Sequence, residues 1–280
     1  MRRFADKVSV ITGAGSGIGR ALSVDLARRG ARLALSDVDL VSVAETAALC
    51  EKEGADVRHY QLDVADRAAV YAHAETVSGE FGAVNLVINN AGVALMAPVN
   101  EMSWDDLEWV MNVDYWGVVH GTKAFLPHLI ASGDGHVVNI SSVFGLIGVP
   151  TQSAYNSAKF AVRGFTEALR QEMLIERRRV GVSCVHPGGI RTNIVRNART
   201  VEGGTTREMH TRFQQITLTT PERAARIILR GVERNRPRIL VGPDAYVIDA
   251  MPRVLGSLYQ RVTASGVRIA SRFGMKLGPY

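Results

Sequence analysis

The sequence predicts an α/β fold: a doubly wound parallel sheet of about seven strands with helices on both faces, plus a short C-terminal helical extension. Three observations predict it. Short β-branched apolar runs alternate with longer amphipathic stretches from residue 8 to residue 241. A glycine-rich turn follows the first run and opens the first amphipathic stretch. The chain has 280 residues, enough for one large α/β domain, and no internal repeat or low-complexity linker divides it.

Strands are expected at 8–12, 32–37, 57–62, 84–89, 136–140, 180–185 and 239–241. The first six runs are bounded by Gly, Asp or Asn and read as buried strands. Helical patterns lie between them, at about 17–30, 41–53, 66–81, 104–130, 153–178 and 221–234. Ser103-Trp-Asp-Asp106 opens one of them in the manner of a capping box. Alternation of this kind implies parallel strands joined by crossover helices. Residues 1–242 are expected to form the nucleotide-binding and catalytic domain, with 243–280 a basic amphipathic extension of it.

Hydrophobic content of 46% and charged content of 21% describe an ordinary soluble globular chain. No apolar run approaches the roughly 20 residues of a membrane-spanning helix, and the start, Met-Arg-Arg-Phe-Ala-Asp6, does not read as a signal peptide. Two cysteines, Cys50 and Cys184, make no disulfide framework. A cytoplasmic protein is expected. The seven His have no ligand-like spacing, so no metal site is expected. The net charge of +6 is uneven: residues 234–280 hold eight basic and two acidic residues, and the rest is close to neutral. A nucleic-acid binder is not indicated.

Thr12-Gly-Ala-Gly-Ser-Gly-Ile-Gly19 joins the first strand to the first helix. Gly13 suits a tight turn, Gly17 lets backbone approach a pyrophosphate, and Gly19 permits close packing of helix on sheet. The helix N-terminus, with Ser16 and Ile18, offers free N–H groups and a positive dipole end to phosphate. Asp37 closes the second strand. Its carboxylate can accept from the ribose hydroxyls of an adenosine and would repel a 2′-phosphate. No basic residue follows it, since Val38 and Asp39 come next. This favours NAD over NADP. Asp63 can meet the adenine edge and Val64 can cover the ring. Asn90, Ala91 and Gly92 end the fourth strand, where small residues leave room for a cofactor ribose.

Tyr155 and Lys159 stand four apart in a helical stretch, so phenol and ammonium share one face. The ammonium favours phenolate and lowers the Tyr pKa, which suits a proton donor and acceptor near neutral pH. Ser142 ends the strand at 136–140 and can hydrogen-bond a substrate oxygen at the mouth of the sheet.

Together these residues strongly resemble the short-chain dehydrogenase/reductase family in its single-domain form, a Rossmann-type fold. The matching parts are the glycine turn, Asp63, Asn89-Asn-Ala-Gly92, Asn112, Ser142, Tyr155, Lys159, Pro187-Gly188 and Thr192, in the family's order across residues 5 to about 242. The resemblance implies hydride transfer between a nicotinamide and a secondary alcohol or ketone. Tyr155 would act as general acid/base, Ser142 would hold the carbonyl oxygen, and Lys159 would bind the nicotinamide ribose. Asn112 would interrupt its helix and hold a water linking Lys159 to solvent. Pro187, Gly188 and Ile190 would line the nicotinamide, and Thr192 would bind its carboxamide or the phosphates. A mobile substrate lid at about 189–218, with Gly203-Gly204 as hinge, and a homodimer or homotetramer are implied as well. The alternative is a non-catalytic dinucleotide-binding sensor or scaffold.

Some features depart from the pattern or leave it open. His186 has no evident partner, and the doubled Gly188-Gly189 suggests a looser loop. Val93, Ala94, Leu95, Val143, Phe144, Gln152 and Asn156 are candidates for the substrate wall, and most are apolar, which suggests an apolar substrate. Val254, Leu255, Leu258, Tyr259 and Val262 fall on one helical face. A helix over the pocket or a subunit contact is favoured for them, and a membrane contact is the less favoured reading.

Overall fold

The computed structural model describes residues 3–194, 196–200, 217 and 219–272. The strands are β1 (Val8–Thr12), β2 (Arg32–Asp37), β3 (Val57–Gln61), β4 (Leu86–Asn89), β5 (Leu95–Met96), β6 (Gly135–Ile140), β7 (Val180–Pro187), β8 (Arg199–Thr200) and β9 (Arg238–Val241). Seven of them form one parallel sheet in the order β3-β2-β1-β4-β6-β7-β9. From β1 the chain winds outward through β2 and β3, then returns to lay β4, β6, β7 and β9 on the other side. The direction reverses between β1 and β4, and the carboxyl ends there open the crevice where this topology places ligands.

The helices are α1 (Gly17–Arg28), α2 (Leu40–Lys52), α3 (Arg67–Phe81), α4 (Trp104–Met111), α5 (Gly117–Ala131), α6 (Ser153–Ile175), α7 (Pro221–Glu233), α8 (Pro243–Leu255) and α9 (Tyr259–Arg272). Leu22 and Leu26 of α1, Val43 of α2 and Ile228 of α7 pack on one sheet face with Ile11, Leu33 and Leu35. Val77 of α3, Phe125 and Leu129 of α5 and Leu169 of α6 pack on the other with Val8, Val10 and Ala34. Successive residues of β1 and β2 thus enter opposite cores, so a strand covered on both faces is apolar over most of its length.

Four differences from the sequence expectation have plain causes. β3 is an edge strand whose residues are half-buried or exposed, not a buried one. The stretch expected as one helix at 104–130 is two, α4 and α5, joined through a π-helical turn at Asn112–Trp116. A second, two-stranded sheet pairs β5 with β8, Leu95 opposite Arg199. The C-terminal extension breaks at Gly256, whose φ of 53° and ψ of −134° suit glycine. The apolar residues around that break are mainly exposed, Val254 at 80% and Val262 at 56%. Among the described residues no helix is long and apolar enough to cross a membrane.

Candidate active site

A cavity of about 730 Å³ runs along the carboxyl ends of the strands, from Gly13 and Asp37 at one end to Ser142, Tyr155 and Lys159 at the other. Every residue predicted to bind cofactor or to act in catalysis lies on its wall except Gly19. Gly19 acts from behind: a Cβ there would fall 2.1 Å from the carbonyl oxygen of Gly13. Its smallness lets α1 close on the glycine turn itself.

At the glycine-turn end, side chains hold backbone in place. Thr12 Oγ1 accepts from the N–H groups of Asn90 and Ala91. Asn90 Nδ2 donates to the carbonyls of Thr12 and Gly13, so its amide locks the turn and does not reach into the cavity. Asp37 Oδ2 accepts from Gly15 N–H at 2.8 Å and Oδ1 from Asp39 N–H. A carboxylate has about four acceptor sites, so Asp37 keeps capacity for a ligand. Asp63 accepts from Ala65 N–H, and Val64 packs under Gly117. Side chains of Asp39, Asp66, Ser103 and Thr220 cap α2, α3, α4 and α7. Ser16 makes no such bond at the start of α1, which leaves those N–H groups to a ligand. These residues fit the diphosphate and adenosine of a dinucleotide.

At the other end, Asn89 Nδ2 donates to Thr122 Oγ1 and Asn139 Oδ1, and Asn139 Nδ2 to Thr166 Oγ1. This buried chain ties β4, β6, α5 and α6 together below the reacting groups. Ser142 follows β6 in extended conformation, and its Oγ accepts from Phe144 N–H while lying in hydrogen-bond contact with the Tyr155 phenol. The Lys159 ammonium is buried, 5.4 Å from the centroid of the Tyr155 ring, and donates to the carbonyl of Ile140 at 3.3 Å. Burial pushes the Tyr155 phenol above its usual pKa. Lys159 pulls it down, Asp114 pushes it up and Ser142 pulls it down. The lysine therefore acts with the expected sign, but burial sets the balance.

Asp114 went unnoticed in the sequence. It is fully buried, and its Oδ2 lies 3.0 Å from Lys159 Nζ. The one available signal was an acidic residue inside the otherwise uncharged stretch from Val110 to Val119. Asn112, expected to serve Lys159 through a water, is exposed on the cavity wall that Lys159 also lines. The helix interruption implied at Asn112 is present as the π turn, and it is Asp114 that the turn brings to the lysine.

His186 does have a partner. It is fully buried, and its Nδ1–H donates to the Ser142 carbonyl at 2.9 Å. Burial lowers its pKa to about 4, so the ring stays neutral and braces the backbone of Ser142. The doubled glycine is not loose either: Gly189 N–H donates to Asp244 Oδ2 at 2.6 Å and Gly188 N–H to the Val241 carbonyl. A Cβ on Gly188 would meet that carboxylate at 2.2 Å. Ile190 is buried and bridged to Thr219, and Thr192 lies against Gly17. Residues 195, 201–216 and 218, with the expected Gly203-Gly204 hinge, lie outside the described residues.

Of the candidates for the substrate wall, Val93 and Ala94 line the cavity. Leu95 and Val143 are packed in the interior. Asn156 braces the loop before α6, its Nδ2 donating to the carbonyls of Phe144 and Ile147. The wall beyond Tyr155 is mixed: Trp109, Val113 and Ile194 share it with Asp105, Glu108, Asn193 and Asn197.

Known proteins match this chain along most of its length. SadH of Mycobacterium tuberculosis, provisionally named an oxidoreductase, is 55% identical over 269 residues, 95% of this chain and 97% of its own. Estradiol 17-beta-dehydrogenase 11 of Mus musculus is 30% identical over 96% of this chain and 86% of its own. The crystal structure of a short-chain dehydrogenase/reductase from Burkholderia phymatum in complex with NAD superimposes with a TM-score of 0.84 at 31% identity, covering 92% of this chain and 97% of that one. The sequence pattern of the short-chain dehydrogenases matches residues 7–203, and with these relatives it shows that the chain belongs to the short-chain dehydrogenase/reductase family of oxidoreductases.

Proposed function

We propose that the protein is an NAD-dependent oxidoreductase that moves a hydride between the nicotinamide and a secondary alcohol or ketone. The observation that carries the reading is the convergence of Ser142, Tyr155 and Lys159 at one end of a cavity whose other end is the glycine turn. The dinucleotide, when bound, takes the hydride from the alcohol carbon or returns it to the ketone. The chain's own groups handle the proton. In oxidation, the Tyr155 phenolate takes the hydroxyl proton as the carbonyl forms, and the Ser142 hydroxyl donates to the oxygen that gains double-bond character. Lys159 holds the nicotinamide ribose. In reduction, Tyr155 returns the proton to the carbonyl oxygen. Pro187, Gly188 and Ile190 form the wall beside the nicotinamide, and Thr192 meets its carboxamide or the phosphates.

NAD is favoured over NADP because the Asp37 carboxylate faces the cavity with Val38 and Asp39 as its neighbours. The nearby cation Arg20 is turned to Thr46, Ser42 and Glu45. The NAD in the Burkholderia phymatum relative accords with this. The substrate wall accommodates an apolar body with Val93, Val113 and Trp109, and offers polar groups near the rim. A homodimer or homotetramer accords with exposed apolar residues on α4 and α6, among them Trp104, Phe160 and Ile175.

The test is a fluorescence titration with NADH and with NADPH, then a panel of secondary alcohols and ketones, on the native chain and on Tyr155→Phe. NADH is expected to bind more tightly than NADPH. The substitution should lower kcat by about 10²–10⁴-fold, the usual worth of a positioned acid/base, and spare NADH affinity. Hydride transfer at the native rate in Tyr155→Phe would overturn the mechanism.

A further inference from the structure

This inference rests on the reading of Tyr155 as the acid/base. Asp114 lies beneath the cavity, fully buried. Its Oδ1 accepts from Val93 N–H at 2.7 Å and its Oδ2 lies 3.0 Å from Lys159 Nζ. Gly92 leaves room for the pair: a Cβ there would come within 3.3 Å of Asp114 Oδ1 and 3.4 Å of Lys159 Nζ. The π turn at Asn112–Trp116 sets this arrangement, with Asn112 and Trp116 exposed and Asp114 facing in. Single π turns inside helices are known for placing functional side chains in this way.

The electrostatics of the site differ according to whether this carboxylate is charged. A lone buried ammonium beside a phenol draws it toward ionisation. An ammonium paired at 3.0 Å with a carboxylate acts on the phenol as a dipole, and the draw is much reduced. Lys159 is the charged group that faces Asp114. Tyr155 from α6 and Cys184 from β7 face Lys159, and burial holds the Cys184 thiol neutral with its pKa raised to about 12. Burial works against the Lys159 charge, yet Asp114 and Tyr155 together hold its pKa above the usual value. Burial also pushes the Asp114 carboxyl up, against the pull of Lys159 and the Val93 N–H.

We propose that Asp114 is a positioning residue for this reaction: its carboxylate clamps Lys159 and offsets its charge, so that Tyr155 keeps its proton in the empty site. It touches neither substrate nor cofactor and acts through Lys159.

The experiment is a near-ultraviolet tyrosinate titration of the cofactor-free protein, with Tyr155→Phe subtracted to isolate Tyr155. Asp114→Asn keeps an acceptor for the Val93 N–H and removes the charge. It should lower the Tyr155 midpoint by about one pH unit or more, a tenfold change in ionisation. The acid limb of alcohol oxidation should move the same way, to lower pH. An unchanged midpoint in folded Asp114→Asn would overturn the proposal, because it would show that Asp114 is neutral already. The double variant Asp114→Asn with Lys159→Met provides a second route: it removes the pair as a whole, so the midpoint should stay within about one unit of the native value. A larger rise would overturn the proposal, because it would show that the Lys159 charge was not offset. The titration needs no turnover, so a shifted midpoint in a protein that oxidises no alcohol would count against the proposed function and leave the charge pairing standing.

Discussion

The two ends of the cavity are built on different principles. At the glycine turn, Thr12 and Asn90 direct their polar atoms to backbone N–H and C=O groups, Asp37 anchors Gly15 N–H while facing the cavity, and most of the surface offered to a ligand is main chain. Around Tyr155, the arrangement depends on charge compensation in a buried setting. Asp114 is buried there against the Lys159 ammonium at 3.0 Å, and His186 Nε2 is buried without a hydrogen bond among the described residues. The first end is a fixed shape that fails when volume is added. The second is close-packed as well, since a Cβ on Gly145 would fall 2.4 Å from Ser141 Oγ, and it fails in addition when a charge is added or removed.

Gly19→Ala breaks the first end most directly. The new methyl would sit 2.1 Å from the Gly13 carbonyl oxygen, and a Cβ there would also be 2.6 Å from Asn90 Nδ2, so the turn and its lock must both shift. Overpacking of this kind costs about 1–3 kcal/mol of stability. We expect a lowered denaturant midpoint together with loss of measurable NADH binding. Native NADH affinity in the variant would show that the cradle is less rigid than its contacts imply.

Asp37→Ala sharpens the comparison with a smaller effect. Removing a carboxylate bonded to charge-sensitive partners costs about 1.5–3 kcal/mol, so NADH affinity should fall by about 10–100-fold. Part of that fall is structural, because Asp37 also holds Gly15 N–H. Loss of this anchor weakens NADH and NADPH alike. The ratio of the two affinities therefore isolates the repulsion of a 2′-phosphate, and it should move toward NADPH. A ratio that stays fixed would remove Asp37 as the selector.

The sheet was legible because strands buried on both faces are mainly apolar runs, and the five inner strands gave that pattern. β3 was misread as buried although Arg58, His59 and Gln61 already mark an edge. The pairing of β5 with β8 involves two residues on each side, too few for any period to register. That the site residues share one cavity was legible because a glycine turn between strand and helix, and a Tyr and Lys four apart on one helix face, are local patterns. Residues that serve them from behind were not. The partner of His186 depends on β6 lying beside β7, and that of Asp114 on a π turn adding a residue to a helix. Both are long-range facts that local sequence does not encode.

The C-terminal extension gives the smallest effect. It is docked at defined points: Arg238 of β9 pairs with Asp249, Gly189 N–H donates to Asp244 Oδ2, and the Tyr259 hydroxyl accepts from Gly148 N–H at 3.1 Å. The last contact sets the start of α9 against the loop that follows Ser142, near the substrate end of the cavity. The outward residues take no part in this docking, for Leu258 is 55% exposed and Val262 56%. Val262→Ser should therefore change the unfolding free energy by no more than about 0.5 kcal/mol. Tyr259→Phe removes one hydrogen bond and should cost about 0.5–1.5 kcal/mol. Equilibrium denaturation of both variants at one dilute concentration makes the comparison. A cost at Val262 larger than that at Tyr259 would mean that the stripe is covered in solution, since an exposed valine has no apolar contact of that size to lose. Dependence of that cost on protein concentration would then identify the cover as a second copy of the chain.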